Sequence, residues 1–193
     1  LITMKNPNAF IIRLPEKFKS ELQLGDDKLL LVNKFREFEN RHMEAEIVSL
    51  PILHDTGAKP GDTLYFHHHV VLNKHFDIGD DLYLVPFHPM GGRNNLANAY
   101  KNEDGIQVLA EWVFLDPMES SKKIHSSVLE LVQEEVPNDR GKIKYRSDAL
   151  EEMDLHPGDV VYFSKNSDYE MEVDGETLWR MMTNDLIYAE VKN

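Results

Sequence analysis

The chain has 193 residues, 41% of them hydrophobic and 28% charged, which is enough core-forming material to fold and excludes a disordered chain. Lys and Arg total 21 against 34 Asp and Glu, and a net charge of −13 repels a phosphate backbone, so nucleic acid is not an expected partner. Cysteine is absent, which removes disulfides, thiolate metal sites and a cysteine nucleophile, and no apolar run approaches the ~20 residues that cross a bilayer.

Residues 1–10, LITMKNPNAF, lack the basic-then-apolar layout of a secretory signal, and a cytoplasmic address is expected. An apolar strand stopped by proline is predicted at 10–15, FIIRLP. Residues 16–33, EKFKSELQLGDDKLLLVN, carry Leu22, Leu24 and an aliphatic run at 29–32. Over 33–46, Phe35 and Phe38 recur at i, i+3 among good helix formers; a short helix and a polar hairpin are both open. A strand follows at 45–49, AEIVS.

Residues 60–66, PGDTLYF, combine a tight turn with a strand, since Pro presets φ at the second turn position and Gly accepts a positive φ at the third. His67, His68 and His69 come next; on a strand His67 and His69 share a face, a spacing able to ligate Zn or Fe. FDIGDDLYLV at 76–85 is a hairpin signature, and 88–104, which includes PMGGRNN, has the composition of a linker.

The same order then recurs. WVFLDP at 112–117 is again an apolar strand stopped by proline, GKIKY at 141–145 a second strand, and PGDVVYF at 157–163 repeats the turn and strand of 60–66. MEVDGETLWRM at 171–181 parallels 76–85, and NDLIYAEVK at 184–192 echoes NLANAYK at 95–101. Glu170, Glu172 and Asp174 alternate with Met171 and Val173, the period of a half-buried strand. A self-similarity of this kind marks a tandem duplication. The expected fold class is all-β, two small antiparallel barrels, with domains at 1–104 and 105–193.

The second copy resembles the GroES co-chaperonins along 112–191. The elements that carry the resemblance are WVFLDP, the polar loop ESSKKIHSSVLELV, GKIKY, PGDVVYF, VDGETLWRM and NDLIYAEV, in that order. The resemblance implies GroES-like barrels, and a tandem layout similar to the double-domain co-chaperonins of chloroplasts. It further implies a homo-oligomeric ring in which first and last strands of neighbouring subunits pair, with one such junction available inside a tandem chain.

In that family a mobile loop inserts an aliphatic tripeptide into a groove of a GroEL-type chaperonin. The matching stretch lies within 119–134, where Ser126 and Ser127 stand for the usual Gly pair, Val128 and Leu129 fall on the first two anchor positions, and Glu130 falls on the third. A carboxylate in an apolar groove costs several kcal/mol, and Leu131 can serve through a one-residue shift. The implied chaperonin-binding set is Ser127, Val128, Leu129, Glu130 and Leu131. The first copy shows no such anchor, and it is expected to have lost the binding loop or to use it for something else. The segment 146–156 is too short for the roof hairpin of the family.

Other constellations are weaker. Gly61 followed by His67 and His69 resembles the opening of the cupin metal motif, but Asn73 and Lys74 replace the Glu ligand and Asn94 the later His. The second copy continues into Ser164, Lys165 and Asn166, so no metal ligand set is assigned. Adjacent carboxylates such as Asp80 and Asp81 point apart and make no acid/base pair, and Ser126 beside His125 is not a triad. Trp112 and Trp179 are expected in the core. The chain is therefore expected to be non-enzymatic and without a cofactor, ATP belonging to the chaperonin, with an unfolded client enclosed beneath the lid. Two alternatives remain: a GroES-fold structural or assembly protein, such as a viral one, and a metal-binding β-barrel protein using the cluster from His67 to His69.

Overall fold

The structure, a computed structural model, describes residues 4–18, 21–24, 27–30, 41–92, 94–118, 124–127, 130–133 and 138–190, with 21–30 and 124–133 described by their backbone pairing. It divides into two compact units, 1–110 and 111–193.

The first unit contains β1 (Ala9–Arg13), β2 (Glu21–Leu24), β3 (Asp27–Leu30), β4 (Glu44–Ser49) and β5 (Thr63–Phe66). The short helix α1 (His69–Leu72), β6 (Asp77–Gly79), β7 (Leu82–Pro86), β8 (Ala97–Asn102) and β9 (Gly105–Val108) follow. The second unit contains β10 (Trp112–Pro117), β11 (Ile124–Ser127), β12 (Glu130–Gln133), β13 (Arg140–Tyr145), helix α2 (Asp148–Glu152) and β14 (Val160–Phe163). It ends with β15 (Tyr169–Val173), β16 (Glu176–Met182) and β17 (Leu186–Glu190).

Each unit is built on one antiparallel sheet. Its strand order is β6-β7-β1-β4-β5-β8-β9 in the first and β15-β16-β10-β13-β14-β17 in the second. Six consecutive strands therefore have the same order in both, as a duplication requires. The irregularities repeat too: the ladder slips between Ile11 and Ile12 and between Phe114 and Leu115, and again between Tyr65 and Phe66 and between Tyr162 and Phe163.

The repeated Pro-Gly-Asp turn is held by the same bonds in each unit. Gly61 (φ 96°) donates its N–H to the Ile47 carbonyl at 2.8 Å, and Gly158 (φ 97°) donates to the Ile143 carbonyl at 2.8 Å. The Asp62 carboxylate accepts from the Lys59 N–H at 2.7 Å, and the Asp159 carboxylate from the His156 N–H at 2.8 Å. The 76–85 and 171–181 hairpins turn through Asp80 and Asp81 (φ 52° and 60°) and through Asp174 and Gly175 (φ 52° and 78°). Paired positive φ values match the right-handed twist of the flanking strands.

Strand composition follows position in the sheet. β1 lies between β7 and β4, and Ala9, Phe10, Ile11 and Ile12 are all buried, as are Trp112, Val113, Phe114 and Leu115 of β10 between β16 and β13. A strand covered on both faces reads as a continuous apolar run. β15, at a sheet edge, instead alternates exposed Glu170 and Glu172 with buried Met171 and Val173. Each unit has its own core. Phe10 and Phe87 meet edge-to-face in the first, and Phe163 and Trp179 do so in the second, at 5.8 and 6.0 Å between ring centroids.

Trp112 and Trp179 are buried, as expected. Beside them the Arg180 guanidinium lies 3.9 Å from the Trp112 ring centroid and 4.4 Å from that of Tyr169. Burial lowers its pKa to about 10, since a charged guanidinium loses hydration there and recovers part of it from the aromatic faces.

Two boundaries differ from the sequence reading. The division between units falls past 104/105, because β9 hydrogen-bonds to β8 and so belongs to the first unit. The linker expected at 88–104 contains the whole of β8, whose residues Ala97–Tyr100 are buried. Much of the 33–46 segment lies outside the described residues, and from Glu44 it is strand rather than helix.

A Cβ added at Gly61 or Gly158 meets nothing within 4 Å, so substitution there costs backbone strain alone. Gly61→Ala and Gly158→Ala are each expected to lower stability by about 1–2 kcal/mol, read as a drop in the urea midpoint at unchanged m-value.

Candidate functional site

The chain between β10 and β13 holds the predicted binding residues. There β11 and β12 pair antiparallel as a two-stranded sheet of their own, with Ile124 opposite Gln133, His125 opposite Val132, Ser126 opposite Leu131 and Ser127 opposite Glu130. Ser127, Glu130 and Leu131 thus lie at the closed end of a hairpin, where an irregular loop was expected. Val128 and Leu129, between the two strands, lie outside the described residues. The strand-forming residues Ile124 and Val132 and the polar partners between them favour the ladder locally.

The first unit has a hairpin in the corresponding connection, between β1 and β4. β2 and β3 pair there with Glu21 opposite Leu30, Leu22 opposite Leu29 and Leu24 opposite Asp27. The hairpin is therefore common to both copies, while the Ser-Ser and aliphatic sequence at 126–132 occurs in the second alone.

A second feature lies at the outer edge of the second sheet. β17 pairs with β14, and among the described residues it has no partner on its other side. Ile187 and Tyr188 are 65% and 57% exposed on it. Tyr188 stacks on Tyr162 at 4.2 Å, and the Tyr162 hydroxyl donates to Glu190 Oε1 at 2.9 Å. Along this edge runs an apolar groove of about 330 Å³, with Leu150, Met153, Leu155, Leu186 and Ile187 among its walls.

In the first unit the equivalent edge is covered by the chain itself. β9 pairs along β8, Ala99 opposite Val108 and Asn102 opposite Gly105, and the Leu109 N–H donates to the Asn98 carbonyl at 3.0 Å. Leu109 is buried in a core that includes Ala58, Ala97 and Tyr100. Sequence reasoning missed β9 and with it this contrast. The signal was Asp104-Gly105, a hairpin dipeptide after Asn102, whose side-chain oxygen accepts the Asp104 N–H at 2.9 Å.

The histidines depart from expectation. β5 ends at Phe66, the His67 N–H is taken by the Leu96 carbonyl at 2.9 Å, and α1 begins at His69. His67 and His69 therefore do not share a strand face. The turn instead gathers all three rings, with centroids 4.1, 4.6 and 4.7 Å apart.

Comparison with known protein families, with characterised proteins and with solved structures returns no match. Among the described residues no helix is long and apolar enough to cross a membrane.

A two-stranded hairpin is marginally stable by itself. The amides of β11 and β12 are accordingly expected to exchange with solvent orders of magnitude faster than those of β10, β13 and β14, measured by hydrogen exchange. Equal protection in the two sets contradicts the hairpin's independence from the main sheet.

Proposed function

We propose that this protein is a co-chaperonin, a non-enzymatic lid that docks on a GroEL-type chaperonin and helps enclose an unfolded client in the cytoplasm. The contact residues are Val128, Leu129 and Leu131, flanked by Ser127 and Glu130; ATP hydrolysis belongs to the chaperonin. Each unit is read as a GroES-like barrel, and the assembled form as a homo-oligomeric ring.

The observation that carries this reading is the hairpin of β11 and β12. It forms a sheet separate from the main one and bears the aliphatic run, in the connection where the resemblance requires the binding loop. A marginal hairpin must be ordered at the expense of binding energy, so each contact is weak and several copies in a ring supply the strength. The open edge of β17 fits the junction formed with another copy.

Glu130 favours a second reading, a GroES-fold structural or assembly protein that keeps the ring and lacks chaperonin binding. ATP-dependent co-sedimentation with a GroEL-type chaperonin separates the two, comparing wild type with a Val128→Ser, Leu129→Ser, Leu131→Ser triple variant. The co-chaperonin reading predicts that the wild type sediments and the variant stays in solution. Absence of binding by both supports the structural protein, and equal binding by both removes the role of the hairpin.

A further inference from the structure

We infer that His67, His68 and His69 form a binding site for one divalent transition-metal ion that prefers imidazole, Zn²⁺ foremost. One nitrogen from each ring lies within 4.8 Å of the others. A tetrahedral Zn²⁺ with Zn–N bonds of about 2.0–2.1 Å sets its ligand nitrogens about 3.3 Å apart. The three rings need close in only by side-chain rotation. His67 and His68 are half-buried and His69 is exposed, which leaves room for that rotation.

The backbone beneath the rings is held on every side. The His67 N–H donates to the Leu96 carbonyl, and the carbonyls of His67, His68 and His69 accept from the N–H groups of Val70, Val71 and Asn73 at 3.1, 3.2 and 3.0 Å. Val70 and Val71 are buried in the first core and anchor α1. The site thus combines a fixed backbone with adjustable ligands. His67 Nδ1 accepts the His69 N–H at 3.2 Å, which puts a lone pair rather than a proton on that nitrogen, as a metal ligand requires.

His69 also borders a cleft of about 400 Å³, with Asn73, His88 and Asn94 on its other walls. The cleft gives water or an external ligand access to the fourth position of the ion. The fold does not demand these rings, since the second copy follows the same turn and strand with Ser164, Lys165 and Asn166. Neutral imidazoles with no carboxylate suit Zn²⁺, Ni²⁺ and Cu²⁺ and not Mg²⁺ or Ca²⁺.

The test uses the full chain without an affinity tag, stripped with chelator and titrated with Zn²⁺ by calorimetry, with Co²⁺ absorption as a report on geometry. One Zn²⁺ per chain is expected, together with the visible bands of tetrahedral Co²⁺. The single substitution His69→Asn, at an exposed position, is expected to weaken Zn²⁺ by about tenfold or more, since even the loss of an outer-shell partner costs that much. The His67→Asn, His69→Asn double variant is expected to abolish binding, and His156→Asn in the second unit to leave it unchanged. Far-UV circular dichroism of the metal-free variants verifies that they fold. Absence of Zn²⁺ binding by the wild type, or binding that survives the double substitution, overturns the site.

Discussion

A sheet edge exposes a row of N–H and C=O groups that water satisfies less well than another strand does, and the arrangement of this molecule follows from how its edges are closed. In the first unit β8 is closed by β9, and Leu109 behind it seals the core. In the second unit the same strand, β17, is bordered by an apolar groove, and the exposed side chains of Ile187 and Tyr188 line its rim. The last strand of the duplicated fold is thus paired on both sides in the first unit and, among the described residues, on one side in the second.

Everything else in the two sheets is held in common. The turn at Gly61 and Gly158 uses the same backbone and carboxylate bonds, and the ladder slips at the same places. Divergence is concentrated where the sheet does not constrain the chain: the tip of the hairpin between the first two strands, the connection before the turn, which forms α2 in the second unit alone, the residues after the strand that follows the turn, and the end of the last strand. These are the places where a duplicated scaffold can acquire separate binding properties without losing its core. In the second copy the tip carries an aliphatic run, and in the first the residues after β5 carry three histidines.

Much of the fold was legible in the sequence because burial leaves a direct pattern. β1 and β10 are covered on both faces and read as FIIR and WVFL, and β15 is covered on one and alternates. The echo of 95–101 in the last strand is realised over 97–101 and 186–190, since Tyr65 pairs with Ala99 and Tyr162 with Tyr188 in the two sheets. What was not legible depends on partners distant in the chain. β9 is short, Gly105–Val108, and partly exposed throughout; it becomes a strand because β8 offers it an edge. α1 contains the β-branched pair Val70 and Val71, poor helix formers whose burial outweighs propensity. The histidine geometry was misread for a related reason: the strand was extended past Phe66, where the ladder slips and His67 turns to Leu96. Within the candidate site, Ser127, Glu130 and Leu131 were named through the resemblance, while the hairpin that carries them was not anticipated.

The central claim is that the outer edge of the second unit is closed by another copy of the chain, so that the protein works as a closed assembly. Native mass spectrometry at micromolar concentration measures this directly. The account predicts a single discrete assembly at an integer multiple of the 22.4 kDa chain, with little free monomer. A monomer that persists across the concentration range, or an open ladder of sizes without a preferred member, contradicts it.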